Sequence, residues 1–201
     1  MKVTIELDLS NDIFGEKSDS YIEELFNEMV EDTEGVEVSD ISITERPEKK
    51  ANPNKLTKET FNPDAFKYVD LGLPSGRLWA TENAPDYYTH YEAVDIFGKF
   101  LPKAVAIAEL VEECKWTWNS DKKGYDVVGP NGNSIFLAAS GRRSRASGAL
   151  YSVGGGGYYW SFASSSQASA YCLSFNSSSL NPLNDGYRAY GFAVRPCREL
   201  N

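Results

Sequence analysis

One histidine, three cysteines and a scatter of carboxylates are the residues of this 201-residue chain whose types could support covalent or acid–base chemistry. His90 stands among Tyr87, Tyr88 and Tyr91. A lone histidine in aromatic surroundings reads as a surface or packing residue, and Ser-His-Asp or Cys-His schemes find no support. Cys114, Cys172 and Cys197 are odd in number and widely spaced, which excludes a complete disulfide framework and any zinc motif. Glu112 and Glu113 read as the solvated face of a helix. Asp126 and Asp185 are the sole acids between Gly124 and Arg198, and nothing assigns them as a glycosidase pair. The Gly154–Gly157 run lacks the Lys-Ser/Thr of a phosphate loop and reads as a tightly turning strand connection. The expectation is a protein with no catalytic residue, no cofactor and no metal.

Recognition is better supplied than catalysis. Between positions 140 and 191, Ser (13), Gly (8) and Tyr (6) fill 27 of 52 positions. Such composition alone describes a flexible linker. Here apolar residues interrupt it at strand-like intervals: Tyr158, Tyr159 and Trp160, then Tyr171, Leu173 and Phe175, then Phe192 and Val194. Interleaved with a core pattern, the composition matches a paratope, in which Tyr gives contact area at low entropy cost and Ser and Gly give adaptable hydrogen bonding.

The elements that must position this surface follow from periodicity. Val3, Ile5, Leu7 and Leu9 alternate as a half-buried strand, and Ser20 with Glu23 forms a capping box for a helix carrying Ile22, Leu25, Phe26, Met29 and Val30 on one stripe. Val36 to Ile43 suggests a second strand. Residues 1–45 thus read as a small β-α-β module for docking to a carrier or for self-association. Residues 46–66, with Pro47, Pro53, Pro63 and several lysines, read as a linker. A second domain spans 67–201. It opens with a strand at Tyr68, a largely buried helix follows from Ala104 to Cys114, and Gly129-Pro130-Asn131-Gly132 turns between two strands. Beyond it, short strands joined by long polar loops are expected.

Charge narrows the partners. Residues 1–123 carry a net −12 and residues 124–201 a net +3. An acidic chain is poorly suited to nucleic acid; Arg142, Arg143 and Arg145 cluster in the more basic half, where solvated loop charge is the expected reading and one local anion-friendly patch the alternative. The N-terminal segment reads as a strand and not a signal peptide, and no apolar run approaches membrane-spanning length, so direct membrane insertion is not expected.

Residue choice in the C-terminal half adds a further constraint. Between Gly124 and Arg198 there is no Lys, Glu or Met, with one Gln (Gln167) and one Trp (Trp160). No codon ending in a pyrimidine encodes any of those five types, as expected if many positions descend from asparagine codons altered at their adenines.

Four motifs in order carry a family resemblance. They are Tyr68-Val69-Asp70-Leu71-Gly72-Leu73-Pro74-Ser75-Gly76 with Leu78-Trp79-Ala80, the segment Gly129 to Leu137, Tyr159-Trp160-Ser161, and Gly191-Phe192 with Val194-Arg195-Pro196. Over residues 67–199 the chain resembles the variable proteins of diversity-generating retroelements, whose ligand-binding domain is C-type-lectin-like and related to formylglycine-generating enzyme. The resemblance implies an α+β fold: a C-type-lectin-like domain preceded by the β-α-β module, with a variable region over about 140–198. It implies ligand-contacting, varied positions at Ser144, Tyr151, Ser152, Gly156, Tyr158, Cys172, Ser174, Ser179, Leu183, Asp185, Gly186, Tyr187 and Tyr190. Trp79, Trp160, Phe175, Arg188, Phe192 and Arg195 are the expected fixed scaffold. Alternation along a strand would turn Cys172 and Ser174 toward ligand and Tyr171, Leu173 and Phe175 toward the core.

The function so implied is non-enzymatic: recognition of a protein or glycan receptor on another cell, from a phage particle or from a cell surface through a carrier. The closely spaced cysteine pair of formylglycine-generating enzyme is missing, so that activity is not carried over. An enzyme of that superfamily with altered chemistry, or an undiversified surface module, are the alternatives.

Overall fold

A computed structural model describes residues 52–144 and 148–199. The N-terminal β-α-β expectation and residues 46–51 lie outside the described residues. What is described is a mixed α/β domain made mostly of antiparallel sheets with few helices.

In chain order the strands β1 (Tyr68–Asp70) and β2 (Leu78–Ala80) come first, then helices α1 (His90–Phe97) and α2 (Ala104–Glu113). The chain continues through β3 (Lys115–Asn119), β4 (Gly124–Val128), β5 (Ser134–Ala138), β6 (Arg142–Arg143) and β7 (Leu150–Tyr151). It ends with β8 (Gly156–Ser164), β9 (Ser169–Asn176), β10 (Leu180–Tyr187) and β11 (Cys197–Arg198). The sheets run β1-β2-β11, β3-β4-β5, β10-β9-β8 and β6-β7, so β11 returns the C-terminal end to the opening hairpin. Among the described residues no helix is long and apolar enough to cross a membrane.

The central sheet, β8-β9-β10, is buried on both faces over its middle. Tyr159, Leu173 and Phe175 join Ile107 and Leu110 of α2 and Tyr125, Val127, Ile135 and Leu137 of the β3-β4-β5 sheet in one apolar cluster. Trp160, Ala170 and Cys172 join Tyr88, Phe97, Leu101, Phe192 and Val194 in a second. Double burial explains why Tyr158-Tyr159-Trp160 runs without polar alternation. These strands are eight or nine residues long, so the expectation of short strands is corrected. Serine and glycine at strand positions had hidden their length, because both residues signal turns in a linear reading.

Other expectations hold locally. The helix predicted from Ala104 is present as Ala104–Glu113, but it is amphipathic and not largely buried: Ala106, Ile107 and Leu110 face the core while Val105, Glu112 and Glu113 are exposed. At the predicted turn, Gly129 N–H donates to Asn133 O at 2.8 Å and Gly132 N–H to Gly129 O at 3.0 Å. Helix α1 went unread, although Thr89 and Glu92 form a reciprocal capping box at its start.

The linker boundary is also corrected. Phe61 packs edge-on against Phe97 at 4.8 Å and Phe100 at 5.7 Å, and Leu56 and Phe66 pack on the same cluster. Leu56 N–H donates to the Tyr88 hydroxyl at 3.1 Å, and Lys55 pairs with Glu92 at 2.7 Å. Residues 52–66 therefore belong to the folded domain. Apolar residues at 56, 61 and 66 follow neither a two-residue nor a 3.6-residue period, so no element announces itself.

Buried arginine ties the layers together. The Arg195 guanidinium donates to Asn83 Oδ1 (2.8 Å), Ala80 O (2.9 Å) and Phe136 O (2.7 Å). Burial lowers its pKa, and hydrogen bonds to carbonyls rather than an ion pair satisfy it. It is buried, as a scaffold position would be.

Candidate functional site: an aromatic and hydroxyl-rich face

From core to surface runs a series of rings. Trp160 stacks on Phe192 at 4.1 Å, and Phe192 contacts Tyr158 at 5.2 Å and Tyr190 at 6.1 Å. Tyr190 in turn meets Tyr187 edge-on at 5.6 Å, and Tyr187 is 54% exposed. The buried rings hold the outer tyrosines in place, so contact area is offered with little ordering left to be done on binding.

Beside this series lies an open concavity of about 340 Å³, lined by Ser152, Gly155, Gly156, Tyr158, Ser174, Phe175, Asn176 and Ser179. Four chain segments build it. The turn after β7 places Ser152 in the left-handed region (φ 59°), and its carbonyl accepts from Gly155 N–H at 3.0 Å and Gly156 N–H at 2.9 Å. Strand β8 supplies Gly156 and Tyr158, β9 supplies Ser174, Phe175 and Asn176, and the β9–β10 connection supplies Ser179. Cross-strand register sets Tyr158 opposite Ser174, so both face the same side.

The expected ligand positions divide by location. Ser152, Gly156, Tyr158, Ser174 and Ser179 line the concavity. Tyr151, Leu183, Asp185 and Tyr187 are exposed on β7 and β10, while Ser144 and Tyr190 are half-buried. Two expectations are corrected. Cys172 is fully buried between Trp160 and its neighbours, so it does not face ligand. Gly186 is also buried: an added Cβ would lie 2.5 Å from the Phe192 ring. Phe192, arriving from outside the sheet, lies over Gly186 and stacks on Trp160, the cross-strand partner of Cys172, within one buried cluster.

The chemistry-bearing residues take structural roles in this arrangement. His90 is buried, edge-on to Trp160 at 5.2 Å. Arg188 Nε–H donates to its Nδ1 at 3.2 Å. The proton must then sit on Nε2, which donates to Ser161 O at 3.1 Å. Burial first, and the Arg188 charge second, lower its pKa and keep the ring neutral. The three cysteines are free and buried. Burial pushes Cys172 up to about 12 and Cys114 and Cys197 up to about 11, away from the thiolate form that nucleophilic chemistry requires. Among the described residues, no three His, Cys, Asp or Glu side chains group so as to hold a metal ion.

Sequence reasoning missed Arg142 as part of this face. It sits on β6 with its guanidinium carbon 5.4 Å from the ring centres of both Tyr158 and Tyr190. Its neighbour Arg143 points elsewhere, pairing with Asp86 at 2.9 Å. The alternation of a strand separates the two, and the Arg-Arg pair had been a usable signal once β6 was known.

No family model matches the chain, and no curated protein or solved structure is significantly similar to it.

Proposed function

We propose that this chain is a non-enzymatic ligand-binding protein with a C-type-lectin-like domain, a variable protein of a diversity-generating retroelement. Its tyrosine- and serine-rich face would recognise a protein or glycan receptor, displayed on a phage particle or on a cell surface through a carrier. The single observation that carries this reading is the convergence of separate segments on one open face. Ser152, Tyr158, Ser174 and Ser179 come from a turn, two strands and a connection, yet they line one concavity beside Tyr187 and Tyr190. Their types are those that asparagine codons yield when adenines change.

The buried series behind the face supports the same reading. It lets surface residues change at little cost, since exposed substitutions usually shift stability by only about 0.5 kcal/mol. Glycan and cell-surface binding screens of the full chain, repeated with Tyr158, Tyr187 and Tyr190 changed to Ala, test the proposal. Loss of binding with an unchanged fold is the expected result. Undiminished binding by the triple variant would remove this face from consideration. The encoding locus gives an independent check: a repeat matching the 140–198 coding segment except at adenines, beside a reverse transcriptase gene.

A further inference from the structure

Arg142 differs from the other arginines of the described residues. Arg77 pairs with Glu199, Arg143 with Asp86 and Arg198 with Asp64, while Arg188 and Arg195 donate to a histidine or to carbonyls. Among the described residues Arg142 has no carboxylate partner. Its recorded side-chain contacts are the Tyr158 and Tyr190 rings and a 3.4 Å hydrogen bond from Nη1 to the Tyr158 hydroxyl. One Nη1–H reaches the Tyr158 hydroxyl, and the remaining guanidinium N–H groups of this half-buried arginine have no carboxylate or carbonyl partner among the described residues. A planar, two-oxygen anion is the ligand group that matches a guanidinium's N–H edge.

Tyr158 belongs both to this clamp and to the concavity beside it. The concavity offers the Ser152, Ser174 and Ser179 hydroxyls, the Asn176 amide and an aromatic ring, a lining suited to a polyhydroxylated molecule. Its volume, about 340 Å³, lies at the lower end of the roughly 300–1,000 Å³ range of small-ligand pockets. A bound peptide would need an apolar groove or an open strand edge along which to lie, and this lining provides neither.

Resting on the ligand-binding reading above, we infer that the concavity and Arg142 form one bipartite site for an acidic sugar, its ring among the serines and Asn176 and its carboxylate on Arg142.

The test uses the full chain and follows backbone amides and arginine Nε–Hε signals by NMR. The probes are methyl glycosides of glucuronic, galacturonic and N-acetylneuraminic acid, with methyl glucoside and methyl galactoside as neutral counterparts. At least one acidic sugar is expected to shift Arg142 and the amides of Ser152, Ser174 and Ser179. It should bind about tenfold or more tightly than its neutral counterpart, the difference expected of a charge-assisted hydrogen-bonded pair. Arg142→Gln should erase that difference while leaving the amide spectrum of a folded domain. Arg142→Lys should restore only part of it, because the ammonium is not planar.

Equal binding of acidic and neutral sugars by the unaltered protein would overturn the inference without recourse to any variant. So would a glutamate-rich peptide that shifts these signals where no acidic sugar does, or acetate binding as tightly as the sugars. If Arg142→Gln keeps binding that the triple tyrosine variant loses, this inference fails and the ligand-binding face stands. If both variants keep it, both fail.

Discussion

Cys172 and Ser174 lie two residues apart on β9 and point the same way, yet they have opposite fates. Cys172 pairs across the sheet with Trp160 and is buried in the cluster that holds Phe192; Ser174 pairs with Tyr158 and opens into the concavity. One face of one sheet is thus core at one end and open concavity at the other. Alternation decides which side a residue faces. What lies above that side decides whether the residue is buried, and here the cluster that buries Cys172 includes Phe192, twenty positions further along the chain.

The largest effect expected from that contrast is at its buried end. Trp160→Ala should cost about 3–5 kcal/mol, the usual range for emptying an aromatic site in a core. Calorimetry should show a fall in melting temperature on the order of 10 °C. Tyr187→Ala, at the far end of the same ring series, should change stability by no more than about 0.5 kcal/mol. Similar melting temperatures for the two variants would break the comparison.

A smaller effect sharpens the boundary itself. Cys172→Tyr forces a ring into a filled site and should destabilise by about 1–3 kcal/mol in denaturant titrations. Ser174→Tyr, given the open space beside it, should stay within about 0.5 kcal/mol. Equal costs would mean that Phe192 does not divide the face as described.

The gentlest probe is pH. His90 lies at the buried end, and its pKa is lowered from the ordinary 6.5 by burial and by the neighbouring Arg188. The unfolded chain then binds the proton more readily. The contribution of the neutral ring is complete above about pH 6.5 and drains away as pH falls through the folded value. The Asp86 carboxyl cannot account for loss in this window. Burial would raise it, but the Tyr87 N–H and Arg143 outweigh burial and hold it below 3.8, so its own contribution fades only further down. Urea midpoints between pH 8 and pH 5 should fall for the native chain and stay flatter for His90→Gln. Parallel curves would remove His90 from that role.

Local signals were legible and tertiary cover was not. The helix at Ala104 and the turn at Gly129 depend on contiguous residues, and both appear where periodicity and turn chemistry place them. Trp79, Trp160, Phe175, Phe192 and Arg195 are as buried as a scaffold requires. Arg188, only half-buried, serves through its bond to His90. Ten of the thirteen expected ligand positions are exposed or half-buried, while Gly156, Cys172 and Gly186 are buried. The errors at Cys172 and Gly186 share one cause, a ring delivered from outside the strand, which no strand pattern encodes. The packing of Leu56, Phe61 and Phe66 was illegible for a related reason. Isolated apolar residues in an irregular segment find their partners only once α1 exists.

Strand β10 carries a consequence beyond recognition. It lies at the end of its sheet, its register shifts between Asn181 and Asn184, and Pro182 falls within the shift. The Asn181 side chain accepts the Leu183 N–H at 3.0 Å, using up a donor that a neighbouring molecule could otherwise engage. Proline has no N–H to offer, and a bulged strand is a poor template for another chain. Backbone pairing between copies of this strand is thereby disfavoured, whatever its side chains contact.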